Sequence, residues 1–343
     1  MSAPAPGVDL RDRKAEHIRL ALDERMQLGA NFFDDYSFGN EALPEIDFAE
    51  IDTSVEFLGR RLEAPLLISC MTGGTETAGR INRNLAAGAE RTGVAVGVGS
   101  QRKALEDPAK ADTFQVRDVA RSVPLLANLG AVQLNYGMGL EECRRAVDMI
   151  GADALVLHLN PLQEAIQPEG QGNFKDLLPK IGEVVRGLHV PVAAKEIGCG
   201  ISERTARQLV EQGVRIIDTA GVGGTSWARI EASRAGDPDI GEAFAGWGIP
   251  TPQSIQEVRK VPGVTVIGSG GLRNGIDAAK AIALGADLAG MAYPFLAPAT
   301  ESPDRVADKV RRIVRELKIC MFCLGVTTIA ELKETQLLRR VVR

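Results

Sequence analysis

VPLLANLGAVQLNYGMGLEECRRAVDMIGADALVLHLN, residues 123–160, reads as one β-α-β unit, and the architecture turns on it. An apolar run, VPLLANLG (123–130), is followed by LEECRRAVDMIGA, whose apolar residues fall three and four apart and end near Gly. A second apolar run, ADALVLHLN (152–160), then begins. Strands joined through a helical crossover lie parallel. The same alternation extends both ways, through APLLISC (64–70), VAVGVGS (94–100), VPVAAKEIG (190–198), VRIIDTAG (214–221), VTVIGSGG (264–271) and DLAGMA (287–292). With the first two runs these make eight strands, mostly separated by helical patterns, and eight β-then-α units predict an α/β fold, a closed parallel (β/α)8 TIM barrel.

The chain of 343 residues suits a barrel of roughly 250 residues plus additions. Residues 1–60 read as an N-terminal extension packing outside the barrel, and 61–343 as the barrel itself. The long segment 222–251 after strand six, with both Trp residues, reads as an inserted loop region suited to a lid. Composition is 45% hydrophobic and 25% charged, with formal net charge −5, which supplies a core and excludes a basic footprint for nucleic acid. No run is apolar enough to span a bilayer, and MSAPAPGVDLRDRK lacks the apolar stretch of a secretory signal, so the expectation is a cytoplasmic protein with no membrane partner. Five cysteines form no disulfide framework; the Cys320/Cys323 pair reads as buried packing over redox or metal chemistry.

Barrel active sites occupy the C-terminal ends of the strands. Here those ends are polar: Thr72, Ser100, Asn128, His158 with Asn160, Lys195 with Glu196, Asp218 with Thr219, and Ser269. Any one alone could satisfy backbone, but polar residues on seven successive ends argue for a lined pocket. GSGGLRNG (268–275) lies where barrels build a phosphate site, and its glycines let backbone N–H groups converge on an anion while Arg273 adds a charged fork. A plain glycine turn is the competing reading. GVGGTSW (221–227) makes a second approach, with the Thr225 hydroxyl, and MTGGT (71–75) offers backbone that could lie against a flat ring.

Lys195 is a cation inside an apolar strand, so it pairs with Glu196 or another carboxylate, faces an electron-rich group, or serves as a Schiff-base amine. HLNPLQEAIQPEG (158–170) delivers His158, Asn160, Gln163 and Glu164 together. Glu164 suits a divalent cation, proton donation, or an ordinary place in a helix's first turn. Arg13 and His17 share a helical face beside Lys14, a cluster that alone reads as solvated surface.

Taken in order, RKAEHI, FDDY, APLLISCMTGGT, GVGSQR, NLGA, HLNPLQE, KEIGCGIS, DTAGVGGTSW and GSGGLRNG resemble type II isopentenyl diphosphate isomerase over about residues 11–335. The resemblance implies an FMN-dependent isomerase that interconverts isopentenyl and dimethylallyl diphosphates by a 1,3-proton shift. It further implies reduced FMN as acid and base, Mg²⁺ on the diphosphate, and NADPH or NADH as flavin reductant. It assigns Met71, Thr72, Gly73, Ser100, Asn128 and Lys195 to the flavin, and Thr225, Gly271, Leu272, Arg273, Ala292 and Tyr293 to its phosphate. Arg13, Lys14, His17, Ser100, Gln101, Arg102 and His158 would receive the substrate diphosphate. Gln163 would touch substrate, Glu164 would bind Mg²⁺, and His158, Gln163 and Glu164 would form the catalytic set. A homotetramer or larger homo-oligomer is also implied. Cys70 and Cys199 depart from the Ser or bulkier apolar residue expected at those places. The main alternative is an FMN-dependent hydride-transferring oxidoreductase of a small metabolite. A Schiff-base phosphosugar aldolase and a non-catalytic phosphometabolite sensor are more distant ones.

Overall fold

The structure, a computed structural model, describes residues 13–29 and 31–341, with side chains from residue 16. Eight strands form the barrel: β1 (Leu66–Ile68), β2 (Ala95–Gly97), β3 (Leu125–Gly130), β4 (Ala154–His158), β5 (Val192–Lys195), β6 (Ile216–Asp218), β7 (Thr265–Ser269) and β8 (Leu288–Met291). Each pairs in parallel with the next, and β8 pairs with β1 through Ala289 opposite Leu66, so the sheet closes and no edge is left. The barrel expected from the alternation is therefore the one observed.

The period of two along each strand sorts the side chains. Leu67, Ala95, Leu126, Ala154, Ala193, Ile216, Ile267 and Leu288 cluster inside the barrel, while their neighbours Leu66, Leu125, Leu155, Val192, Ile217, Val266 and Ala289 pack in the outer core with the helices. Two residues on from each inner apolar position stand Ser69, Gly97, Asn128, Val156, Lys195, Asp218, Ser269 and Gly290, and one further inward step on β4 is His158. The alternation that fills the barrel with hydrocarbon thus carries a polar layer to its C-terminal mouth.

The floor is closed by a hairpin, Val55–Phe57 paired with Arg60–Leu62. Phe57 and Leu62 join the inner cluster, 4% and 0% exposed. The first strand of this hairpin belongs to the stretch read as an extension packing on the barrel: an open barrel end would leave the lowest apolar layer wet, and Phe57 covers it. Helix Glu76–Thr92 shows how crossovers form: Thr75 caps it by accepting from the Ala78 N–H, Ile81 and Leu85 face the core, and Gly93 ends it at φ 65. A 21-residue helix, Pro303–Cys323, packs across it, with Val306 against Gly88 where a Cβ would meet it at 2.5 Å. Within 222–251 lie helices Trp227–Ala235 and Pro238–Ala243, started by the Ser226 and Asp237 caps. Helix Arg13–Ala21 leads into a strap over this region, where Leu28 N donates to Gly224 O (2.8 Å) and Ser226 N to Met26 O (2.8 Å). Among the described residues no helix is long and apolar enough to cross a membrane.

Candidate active site

A cavity of about 650 Å³ opens at the C-terminal mouth, in the size range of small-molecule and cofactor sites. Its deep wall is the polar layer of β3 to β7. Asn128 Oδ1 lies 2.9 Å from His158 Nδ1. Neighbouring strands bring His158 beside Lys195 and Lys195 beside Asp218 in register. Lys195 Nζ stands 3.4 Å from Asp218 Oδ2 and donates to the Glu196 carbonyl at 2.9 Å, and the Ser269 hydroxyl donates to the other Asp218 oxygen. The carboxylate that meets Lys195 is therefore Asp218. Glu196 points the other way, because β-strand neighbours face opposite sides, and its Oε2 accepts from the N–H groups of Ile197 (2.6 Å), Gly198 (2.6 Å) and Cys199 (2.5 Å). Burial, working against those three donors, pushes Glu196 up to about 7.

Two glycine loops form one side of the mouth, and they are glycine-rich because they touch. A Cβ on Gly271 would lie 2.3 Å from the Gly223 carbonyl, and one on Gly270 would lie 2.2 Å from the Gly221 oxygen. Gly271 also has φ 78 and Gly270 φ 107, where side chains are strained. Asp277, in the helix that follows, accepts from Arg273 N at 3.0 Å and from Asn31 Nδ2 at 2.9 Å, fixing the loop's far end. Arg273 reaches Asp34 at 3.3 Å. The Thr225 hydroxyl donates to Gln27 Oε1 (3.1 Å) and accepts from Gln27 Nε2 (2.9 Å), so the strap latches onto this corner.

Across the cavity is a second polar group built on the short helix Pro161–Ile166. Asn160 Nδ2 donates to Gln163 Oε1 (3.0 Å) and Glu164 Oε1 (2.9 Å). The other Glu164 oxygen accepts from Gln167 and from Gln171 N (2.7 Å). Gln163 Nε2 donates to Glu231 at 2.6 Å, and the same Glu231 oxygen lies 3.0 Å from His17 Nε2. Glu231 is fully buried and its other oxygen meets Arg234 at 2.5 Å. Burial pushes the Glu231 carboxyl upward, but the His17, Gln163 and Arg234 bonds outweigh it and hold the group at about 2, below its ordinary 4.5. A depressed carboxyl contributes stability that is complete above about pH 4.5 and is lost as pH falls towards about 2. Chemical denaturation of Glu231→Gln beside the wild type is expected to show a gap of about 3 kcal/mol near neutral pH that narrows below pH 4.5. A gap independent of pH would mean that the carboxylate charge is not what the site uses.

The cavity collects Met71, Thr72, Ser100, Arg102, Asn128, His158, Gln163, Glu164, Lys195, Thr225, Gly271, Leu272, Arg273, Ala292, Tyr293 and His17 in one lining. Two expected residues are not brought to it. Gln101 is fully buried, with Nε2 on the Ala146 carbonyl (2.8 Å) and Oε1 on Asn128 N (3.0 Å), so its amide braces β3 against the helix behind it. Gly73 is glycine for packing: a Cβ there would fall 1.9 Å from the Phe114 ring. The Arg13 and Lys14 side chains lie outside the described residues. Sequence reasoning missed Glu231, one acidic residue among WARIEASRA, and Gln27, which carries no local signal. Burial pushes the thiols up, Cys70 to about 11, Cys199 to about 12 and Cys320 to about 11, so none is a thiolate at neutral pH.

Solved structures share this architecture: lactate oxidase from Pediococcus acidilactici superposes with TM-score 0.67 at 16% identity, covering 97% of this chain and 88% of that one. Mandelate oxidase superposes at 0.64 and 18%, covering 96% and 91%. At such identities the likeness concerns the fold alone. Residues 164–339 match the model of the FMN-dependent dehydrogenase family, which defines the class as an FMN-binding barrel. The chain is 51% identical to an isopentenyl-diphosphate delta-isomerase of Nostoc sp. (strain PCC 7120), over 96% of each. It is 49% identical to that of Rickettsia bellii (strain RML369-C), over 95% of this chain and 96% of the other. The chain belongs to the isopentenyl-diphosphate delta-isomerase family.

Proposed function

We propose that this enzyme interconverts isopentenyl diphosphate and dimethylallyl diphosphate by a 1,3-proton shift, with reduced FMN as acid and base, Mg²⁺ on the diphosphate, and NADPH or NADH as the reductant of the flavin. The observation that carries this reading is the division of one cavity into two polar ends. One end is the Lys195–Asp218–Ser269 wall with the twin glycine loops, and the other is the Asn160–Gln163–Glu164–Glu231 group. Two ends suit a cofactor and a separate anionic substrate.

The residues present fit FMN. Gly223, Gly224, Gly270 and Gly271 leave backbone exposed to a phosphate, with Thr225 and Arg273 beside them, and the buried Ser69 hydroxyl at the cavity has no hydrogen-bond partner among the described residues. Met71, Thr72, Ser100, Asn128 and Lys195 would hold the ring, and Leu272, Ala292 and Tyr293 would flank the phosphate end. When bound and reduced, FMN supplies a proton donor and acceptor at N5 and an electron-rich ring beside the alkene. Lys195, 3.4 Å from Asp218, would set its ammonium at the wall, where a positive charge favours an anionic ring. Gly271→Ala is expected to lower FMN affinity about 10-fold or more, because the strain at φ 78 and the Gly223 clash force the loops apart. Fluorescence titration of apoprotein measures it, and unchanged affinity would remove the loop from the phosphate site.

The other end fits a hard cation. Glu164 brings a buried carboxylate, and the Oδ1 of Asn160, which is 2% exposed, has no hydrogen-bond partner among the described residues. Glu164 and Asn160 would hold Mg²⁺, which neutralises diphosphate charge. Arg13, Lys14, His17, Ser100, Arg102 and His158 would share that charge. Gln163, fixed at both ends of its amide by Asn160 and Glu231, presents a single orientation to the hydrocarbon part of the substrate. The strap of residues 26–28 over the loop after β6 keeps water from the alkene, and segment 222–251 serves as its seat. We further propose a cytoplasmic homotetramer or larger oligomer, with residues 1–60 as an extension of a 61–343 barrel.

The deciding experiment is anaerobic incubation of labelled isopentenyl diphosphate with protein, FMN, Mg²⁺ and NADPH. Appearance of the dimethylallyl isomer supports the proposal. Its absence, with stoichiometric hydride transfer to or from a small metabolite instead, would establish the oxidoreductase alternative.

A further inference from the structure

Gln171 has no place in the chemistry above, yet three of the site's parts meet on it. Its backbone N–H donates to Glu164 Oε2 at 2.7 Å, and its side-chain oxygen accepts from Arg102 Nη1 at 3.0 Å and Gln133 Nε2 at 2.8 Å. The loop that carries it is bent for the purpose. Gly170 N donates to the Gln167 carbonyl at 3.0 Å, and a Cβ on Gly170 would lie 1.9 Å from the Glu164 carbonyl oxygen, so the chain at 170 rests on the backbone of the residue whose carboxylate 171 holds.

We propose that Gln171 is a positioning residue that locks the Arg102 guanidinium and the Glu164 carboxylate into one rigid receptor for a diphosphate. The inference rests on the functional reading above. Arg102 comes from the segment after β2 and Glu164 from the helix after β4, so nothing in the barrel itself relates their side chains. Gln171 bridges them, one through its side chain and the other through its main chain. Its being an amide matters. Glu106 already takes the Arg102 Nε at 2.7 Å, and a second carboxylate on Nη1 would make the cluster net negative where an anion must bind. A neutral acceptor orients the fork without adding negative charge.

The test uses FMN-loaded enzyme with Gln171→Leu and Gln171→Glu. It reads steady-state isomerisation and calorimetric binding of inorganic pyrophosphate with Mg²⁺, with flavin stoichiometry as a check that the barrel is intact. Gln171→Leu is expected to raise KM and the pyrophosphate Kd about 10-fold, the scale of one hydrogen bond to a charged group, with kcat within about 3-fold. Gln171→Glu should raise both further, and that excess should shrink as pH falls through the carboxylate range. A residue that only supports the loop would give no such pH-dependent excess. Equal effects of both variants at every pH, unchanged pyrophosphate binding, or a loss confined to kcat would each overturn the proposal. If the wild type fails to isomerise, the functional reading falls, while the pyrophosphate arm still decides the role of Gln171.

Discussion

Replacing Glu164 with Gln is expected to lower isomerisation by about 10²-fold or more while FMN content stays at the wild-type level. The side chain is 7% exposed and all its known bonds are to donors: Asn160 Nδ2, Gln167 Nε2 and the Gln171 N–H. Such a ring of donors is matched to a carboxylate. An amide of the same shape would lose the charge that a cation requires and would turn an NH2 towards a donor, a mismatch costing about 1–3 kcal/mol. No flavin-wall residue touches Glu164 in this network, so cofactor retention should not follow. Turnover assays alongside flavin absorbance measure both quantities, and turnover within a few fold of wild type would remove Glu164 from the mechanism.

The second large effect is expected at Lys195. Changing it to Met leaves the Asp218 carboxylate, with a side chain 3% exposed, with the Ser269 hydroxyl as its remaining hydrogen-bond partner among the described residues, and breaking a buried pair by removing one partner costs about 3–5 kcal/mol. Thermal and denaturant unfolding should show this loss, and isomerisation should fall with it because the fixed charge at the wall is gone. The double variant Lys195→Met, Asp218→Asn separates the two consequences. Neutralising Asp218 should recover much of the stability and none of the activity. Recovery of activity by the double variant would show that Lys195 serves folding alone.

Much of the site was legible in the chain because strands alternate. The apolar runs end in Asn128, His158, Lys195, Asp218 and Ser269, and a strand that buries Leu126, Val156, Ala193, Ile216 or Ile267 inside must present the residue two places on to the same face. The glycines of GVGG and GSGG were equally readable as loops of unusual backbone. That they are glycine-rich because they pack on each other, Gly271 on Gly223, required two segments nearly fifty residues apart to be seen together. Gln101 shows the opposite limit. Next to Ser100 in sequence, it turns its amide into the barrel wall, because adjacent residues in a turn point to different sides.

Local pattern by itself determined the barrel, its parallel strands, the end at which the site lies and most of the side chains that line it, since hydrophobic periodicity is a property of neighbours along the chain. Pairing across the chain belonged to the tertiary structure: Lys195 with Asp218 in place of Glu196, Glu231 between His17, Gln163 and Arg234, Gln27 on Thr225, and Gln171 between Arg102 and Glu164. Those contacts depend on barrel register and on where loops from different strands converge, and a polar residue in a loop carries no periodic signal of the partner it will meet.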